Sequence, residues 1–148
     1  MIAVILITFT SVQFVLIGSD EGLIQTASRQ IDSKKEWNEI LELTETNSTV
    51  ITLYHDKLLF PERKVIVGLF TDASMNKQYA KLAEMLPLYY YNFTLPQKDL
   101  DYLNDRKLKD VGLDIHVVKR INKDFTLYKL GKTEIEKAKD ESNENTHL

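Results

Sequence analysis

No cysteine occurs in the 148 residues. This removes disulfide staples, thiolate catalysis, thiolate zinc sites and iron–sulfur clusters. Stability must come from the core alone. Histidine is nearly as scarce. His55, His116 and His147 are scattered, without the spacing that lets ligands converge on a metal, so no metal site is expected. No G-x-S-x-G elbow, phosphate loop or dinucleotide fingerprint is present. Neither sign of charge dominates: 19 basic and 22 acidic residues give a net charge of -3. That makes no electrostatic case for nucleic acid, which favours a basic face, and none for a bulk cation buffer. Proline occurs only at Pro61, Pro87 and Pro96, each at a point where the pattern of neighbouring residues changes. No internal repeat is visible.

A hydrophobic fraction of 43% in a chain of this length supports one folded domain. The run "MIAVILITFTSVQFVLIG" carries no charge. It reads as a secretory signal peptide over 1–18, leaving at Gly18-Ser19, with an uncleaved anchor as the alternative. Residues 19–31 then read as a linker, 32–131 as the domain and 132–148 as a polar tail. Two sequons, Asn47-Ser48-Thr49 and Asn92-Phe93-Thr94, make Asn47 and Asn92 glycosylation candidates and agree with the endoplasmic reticulum lumen or secretion. The final "NTHL" is not a retention signal of the KDEL kind.

Ser33 and Glu36 match a capping box at the start of "SKKEWNEILEL", whose stripe is Trp37, Ile40, Leu41 and Thr44. "VITLY" reads as a strand over 50–54, and "KLLFPERK" as a loop. Residues 65–70, "VIVGLF", read as a second strand. They are apolar on both faces, so this strand is expected inside the sheet. Asp72 or Ser74 caps a helix striped by Met75, Tyr79, Leu82, Ala83 and Leu86, and Pro87 ends it. "LYYYNF" is a third strand. From Thr94 and Pro96 a helix turns Leu100, Leu103, Leu108 and Val111 inward, with Gly112 placed for a left-handed cap. "DIHVVKRI" and "FTLYKL" form a hairpin about Asn122-Lys123-Asp124. Helices between strands demand parallel crossovers, and the hairpin adds antiparallel pairing. The fold class is α/β: a mixed sheet with helices on both faces and a C-terminal β-hairpin.

This succession resembles the thioredoxin fold and, more narrowly, the non-catalytic b-type domains of the protein disulfide isomerase family. The residues that carry it are "VIVGLFTD", the helix after it, "KKEWNEIL", and "LDIHVVKRINKDFTLYKLG", together covering about 31–131. The resemblance implies that Ser74, Met75, Asn76 and Lys77 stand where a catalytic member has Cys-x-x-Cys. It also implies that Leu113-Asp114-Ile115 stands where such a member has a cis proline. Serine cannot exchange with a disulfide, and neither can a thioether. The implied function is therefore non-enzymatic: binding of unfolded polypeptides or partner chaperones, without a cofactor. Partners are proteins, not nucleic acid, and not a membrane once the signal is cleaved. The family has one strand between its first two helices and this chain offers two, so either 45–64 is an insertion or the register shifts. All of this depends on an inner strand feeding Ser74. Alternatives are a secreted ligand or interaction protein on the same scaffold, an unfamiliar enzyme, or a fragment of a larger isomerase.

Asp72 and Ser74 with a histidine can be cast as a triad, but helix capping explains the pair better. The candidate binding patch is apolar: Leu58, Leu59 and Phe60 in a loop beside proline, with Tyr89 and Tyr91 of "LYYYNF". Burial of these residues is the competing expectation, favoured for the tyrosines. Arg63-Lys64 and Lys119-Arg120 read as solvated rim charges.

Overall fold

The computed structural model describes residues 1–18 and 22–133. The polar tail beyond 133, with His147, lies outside the described residues. Contacts divide the chain into two units, Met1–Asn38 and Glu39–Leu148.

In the first unit the apolar run forms helix α1, Ile2–Ile17, with no buried residue. The Thr8 and Thr10 hydroxyls donate back to the carbonyls of Val4 and Leu6 at 2.8 and 2.9 Å. Its two threonine hydroxyls are thus absorbed by its own backbone. Among the described residues no helix is long and apolar enough to cross a membrane. Helix α2, Leu23–Leu43, begins well before the expected capping box. The described part of the expected linker is thus mostly helical, and Ser33 lies inside the helix rather than at its head. Between Gly22 and Leu43 no glycine or proline interrupts the chain, so nothing local stops the helix from starting early.

The second unit is built on a five-stranded sheet in the order β2-β1-β3-β5-β4. Strand β1 (Thr49–Thr52) runs parallel to β2 (Lys64–Val67) and to β3 (Leu88–Phe93). The hairpin strands β4 (Leu113–Arg120) and β5 (Phe125–Lys132) close the sheet, with β5 antiparallel to β3. Helix α3 (Asp56–Leu59) joins β1 to β2, and α4 (Ala73–Met85) joins β2 to β3. Helix α5 (Gln97–Tyr102) leads into a π-helical turn (Leu103–Leu108) and a 3-10 turn (Lys109–Val111). Gly112, at φ 71°, ends that series in the left-handed conformation expected of it. The mixed sheet, its flanking helices and its closing hairpin form the thioredoxin-like α/β arrangement.

The expected placement of the second strand is overturned. The strand expected inside the sheet is β2, which is four residues long and lies at the outer edge, with Val67 57% exposed. The inner parallel strand is β1, all four of whose residues are buried. Hydropathy ranks "VIVGLF" above "TVIT", yet threonine is β-branched and suits a buried strand. The Gly68 amide still donates to the Thr52 carbonyl at 3.2 Å; beyond it the chain leaves the sheet, and Phe70 tucks into the core. The inner strand on which the family resemblance depended is therefore not the one that feeds Ser74.

Alternation along β3 separates two layers. Leu88 and Tyr90 join Ile51, Tyr79, Leu100, Leu108, Ile115 and Tyr128 in the core under α4 and α5. Tyr89 and Tyr91 face the opposite side, toward the end of α2 and the start of α3. Each large side chain fully buried there contributes about 1.5–3 kcal/mol. At Gly68 a Cβ would come within 2.1 Å of the Tyr79 hydroxyl, so this position admits no side chain while Tyr79 stays in place.

Arg63 is not a rim charge. It is 8% exposed. Its guanidinium donates to the Leu41 and Thr44 carbonyls at 2.9 Å and to the Thr44 hydroxyl at 3.0 Å. These include carbonyls that the end of α2 leaves without helical partners. A cation there also suits the helix dipole. Lys119 pairs with Glu39 at 2.7 Å, and Arg120 donates to the carbonyls of Asn122 and Lys123 in the hairpin loop.

Candidate functional site: a cationic cleft at the head of α4

Asp72 caps α4. Its Oδ1 accepts from the Ser74 amide at 2.7 Å and from the Met75 amide at 3.4 Å. Those bonds, the Ser74 amide first, hold the Asp72 carboxyl below its ordinary range. The next turn carries Asn76 inward and Lys77 outward. Asn76 is 2% exposed. Its amide nitrogen donates to the Phe70 and Lys107 carbonyls, both at 3.2 Å. Two carbonyls can only be met by the NH2 group, so the orientation of the amide is fixed. Its Oδ1 is buried and has no partner.

The facing wall is the π-helical turn. Asn104 clamps it to β4: its Oδ1 accepts from the Ile115 amide at 2.8 Å and its Nδ2 donates to the Ile115 carbonyl at 3.2 Å. The turn is thus held from one side by Asn104 and from the other by Asn76. Short π segments occur mostly as single-turn bulges in α-helices, frequently at functional sites. Here the bulge presents Arg106 and Lys107 opposite α4.

Between the two walls lies a cleft of about 470 Å³, lined by Thr71, Asn76, Lys77, Arg106, Lys107 and Asp110 among others. Among the described residues none of the three cations has an ion-pair partner. Lys107 lies 5.9 Å from the centre of the Tyr102 ring. Three cations against one carboxylate, with a buried acceptor left open, form a site suited to an anionic group next to an N–H donor.

Of the four positions aligned with the redox motif, Asn76 and Lys77 line this cleft, whereas Ser74 and Met75 are engaged through their amides with Asp72. Among the described residues no histidine accompanies Asp72 and Ser74. His116 pairs with Asp114 at 2.9 Å, and His55 packs edge-on to Phe125. Among the described residues no group of three metal-ligating side chains comes together.

The expected apolar patch does not exist as a surface. Leu59, Tyr89 and Tyr91 are buried, Leu58 is half-buried, and only Phe60 is open, at 70% exposure. Leu58 and Leu59 belong to α3 rather than to a loop, which turns Leu59 into the core. Tyr89 donates to Glu45 Oε2 at 2.6 Å, and Lys129 donates to Glu45 Oε1 at 3.0 Å. Burial pushes the Tyr89 phenol up, and its bond to Glu45 adds to this. Tyr54 and Phe93 also reach solvent, 5.2 Å apart edge-on, with Phe93 stacked on Phe125 at 4.5 Å.

Asn47 is exposed, as a glycan acceptor must be. Asn92 is not available in the folded chain. It is buried, donates to the Tyr90 hydroxyl and accepts from the Phe93 amide at 2.8 Å. A glycan on its nitrogen has no room.

Arg106 and Lys107 were not singled out from the sequence, although a signal was there. The inward residues Leu103 and Leu108 are five apart, a π step rather than the three or four of an α-helix. No protein-family model matches the chain, and no curated protein shows significant similarity to it.

Proposed function

We propose that the Glu39–Leu148 unit is a non-catalytic, redox-silent binding domain of the secretory lumen, which holds unfolded polypeptides or partner chaperones. The observation that carries this reading is the open cationic cleft at the head of α4, with no cysteine beside it. Without a thiolate, a thioredoxin-like scaffold can hold a chain but cannot exchange disulfides with it. The apolar N-terminal helix and the exposed Asn47 support the compartment. The reading no longer draws on an apolar patch, because Leu59, Tyr89 and Tyr91 are buried and only Phe60 is open.

The test is suppression of aggregation of a heat-denatured client, with insulin reduction measured alongside. The expected outcome is slower client aggregation at equimolar protein and no insulin reduction above background. Client aggregation at the rate of the protein-free control would end the proposal.

A further inference from the structure

We propose that the cleft at the head of α4 recognises the free C-terminal carboxylate of a bound polypeptide. This rests on the binding-domain reading above and names what that domain grips. Arg106 and Lys107 supply charge-assisted donors for the carboxylate, and the planar guanidinium fork matches its two oxygens. Lys77 adds a third positive charge from α4. Asn76 lines the same cleft, and its Oδ1 is buried without a donor; the N–H that directly precedes a C-terminal carboxylate supplies one as the cleft wall shifts to admit it. A buried acceptor without a partner is costly, so a ligand that supplies the missing hydrogen bond gains from it.

Phosphate suits this cleft less well. Anion cradles at helix N-termini use free backbone amides. Here Asp72 already occupies the Ser74 and Met75 amides. Asp110 on the rim also lowers the positive field, which disfavours a dianion more than a monoanion. A cleft of about 470 Å³ is within the range of small-ligand pockets, so it accommodates a short chain end rather than a folded surface.

The experiment uses the full chain and three probes: N-acetylated trialanine with a free carboxylate, the same peptide as its C-terminal amide, and inorganic phosphate. Amide shifts followed by NMR up to about 10 mM ligand register even a Kd near 1 mM. The free acid is expected to shift the residues around Asn76 and Arg106, and the amide to bind at least tenfold more weakly. The double variant Arg106→Gln/Lys107→Gln is expected to lose at least tenfold in affinity while keeping its NMR fingerprint. Asn76 is left unaltered, since its amide also holds the fold together. Equal binding of acid and amide overturns the inference, as does binding of neither. Shifts with phosphate alone also overturn it, and indicate a general anion site. A chain that slows client aggregation but shows no preference for the free carboxylate keeps the binding-domain reading and loses only this inference.

Discussion

Arg63 and Arg106 lie in the same folded unit and have opposite situations. Arg63 is enclosed, and its donors meet the carbonyls at the end of α2 and the Thr44 hydroxyl. Arg106 is exposed on a π-helical turn, without an acid to pair with among the described residues. One arginine is consumed by the fold, and the other is held out to something else. A charged residue therefore points to a ligand only when its own structure leaves it unanswered. The same contrast separates Asn92, whose amide is used at both ends, from Asn76, whose oxygen is left open.

The sharpest way to break this contrast is to remove each guanidinium in turn. Arg63→Met strips the end of α2 of its donors and leaves buried carbonyls bare. Bonds from a charged donor contribute about 1.5–3 kcal/mol and bared buried acceptors cost a similar amount, so a loss of about 3 kcal/mol is expected. Arg106→Met is expected to change stability by no more than about 0.5 kcal/mol, as for other surface changes. Urea denaturation of both variants decides the matter. Similar losses from the two would mean that Arg106 also supports the fold, and the cleft would lose its claim as a site.

A smaller effect is expected on the hidden side of α4. The Tyr79 hydroxyl is buried without a hydrogen-bond partner and sits against Gly68. Burial, followed by the negative charge of Asp72, pushes its phenol up, so it stays a neutral and unpaired O–H. Gly68→Ala forces a clash and is expected to cost about 1–3 kcal/mol, as overpacking does. Tyr79→Phe removes the clashing oxygen and the unpaired group together, and is expected to be neutral or mildly stabilising. In the double variant much of the Gly68→Ala loss should disappear. A cycle that adds up without coupling would show that the two positions do not press on each other. The comparison with Asn76 then sharpens: both groups are unpaired, but only Asn76 faces a cleft.

The sequence made the order of the strands legible, along with the β3 strand, the Asp72 cap, the Gly112 cap and the closing hairpin, because each is signalled locally. Position in the sheet was not legible. "VIVGLF" looks more buried than "TVIT", but which strand lies inside depends on which neighbours pair with it, and that is non-local. Arg63 was misread for the same reason: its partners lie about twenty residues earlier, in a helix whose end no local pattern connects to it. The apolar patch was misread because a three-residue run beside a proline looks like a loop, whereas α3 turns Leu59 inward. Of the cleft, Asn76 and Lys77 were reached through the redox alignment. Arg106 and Lys107 needed the five-residue step of the inward leucines to be taken literally.

The weakest expected effect lies where charges are answered at the surface. Burial alone would raise the Glu45 carboxyl, but the bonds from Tyr89, from its own backbone and from Lys129 outweigh it and hold it below its ordinary 4.5. A depressed carboxyl stabilises the fold above its unfolded value, and this contribution is lost as pH falls through the folded one. Lys129 is raised above 10.5, first by its bond to Glu45, so its contribution holds below that value and fades as pH rises past it. Between those limits the pair is fully charged, and stability should be flat with respect to this cluster. Both side chains are nearly half exposed, 45% for Glu45 and 47% for Lys129, so solvent screens the pair and the gain is below about 1 kcal/mol. Glu45→Gln is therefore expected to lower the urea midpoint slightly at neutral pH and to converge with the parent as pH falls through the lowered value of the folded carboxyl. If the difference between the two proteins instead widened toward low pH, the carboxylate would be destabilising as it stands. The Tyr89–Glu45–Lys129 cluster would then belong with the unanswered charges of the cleft rather than with Arg63.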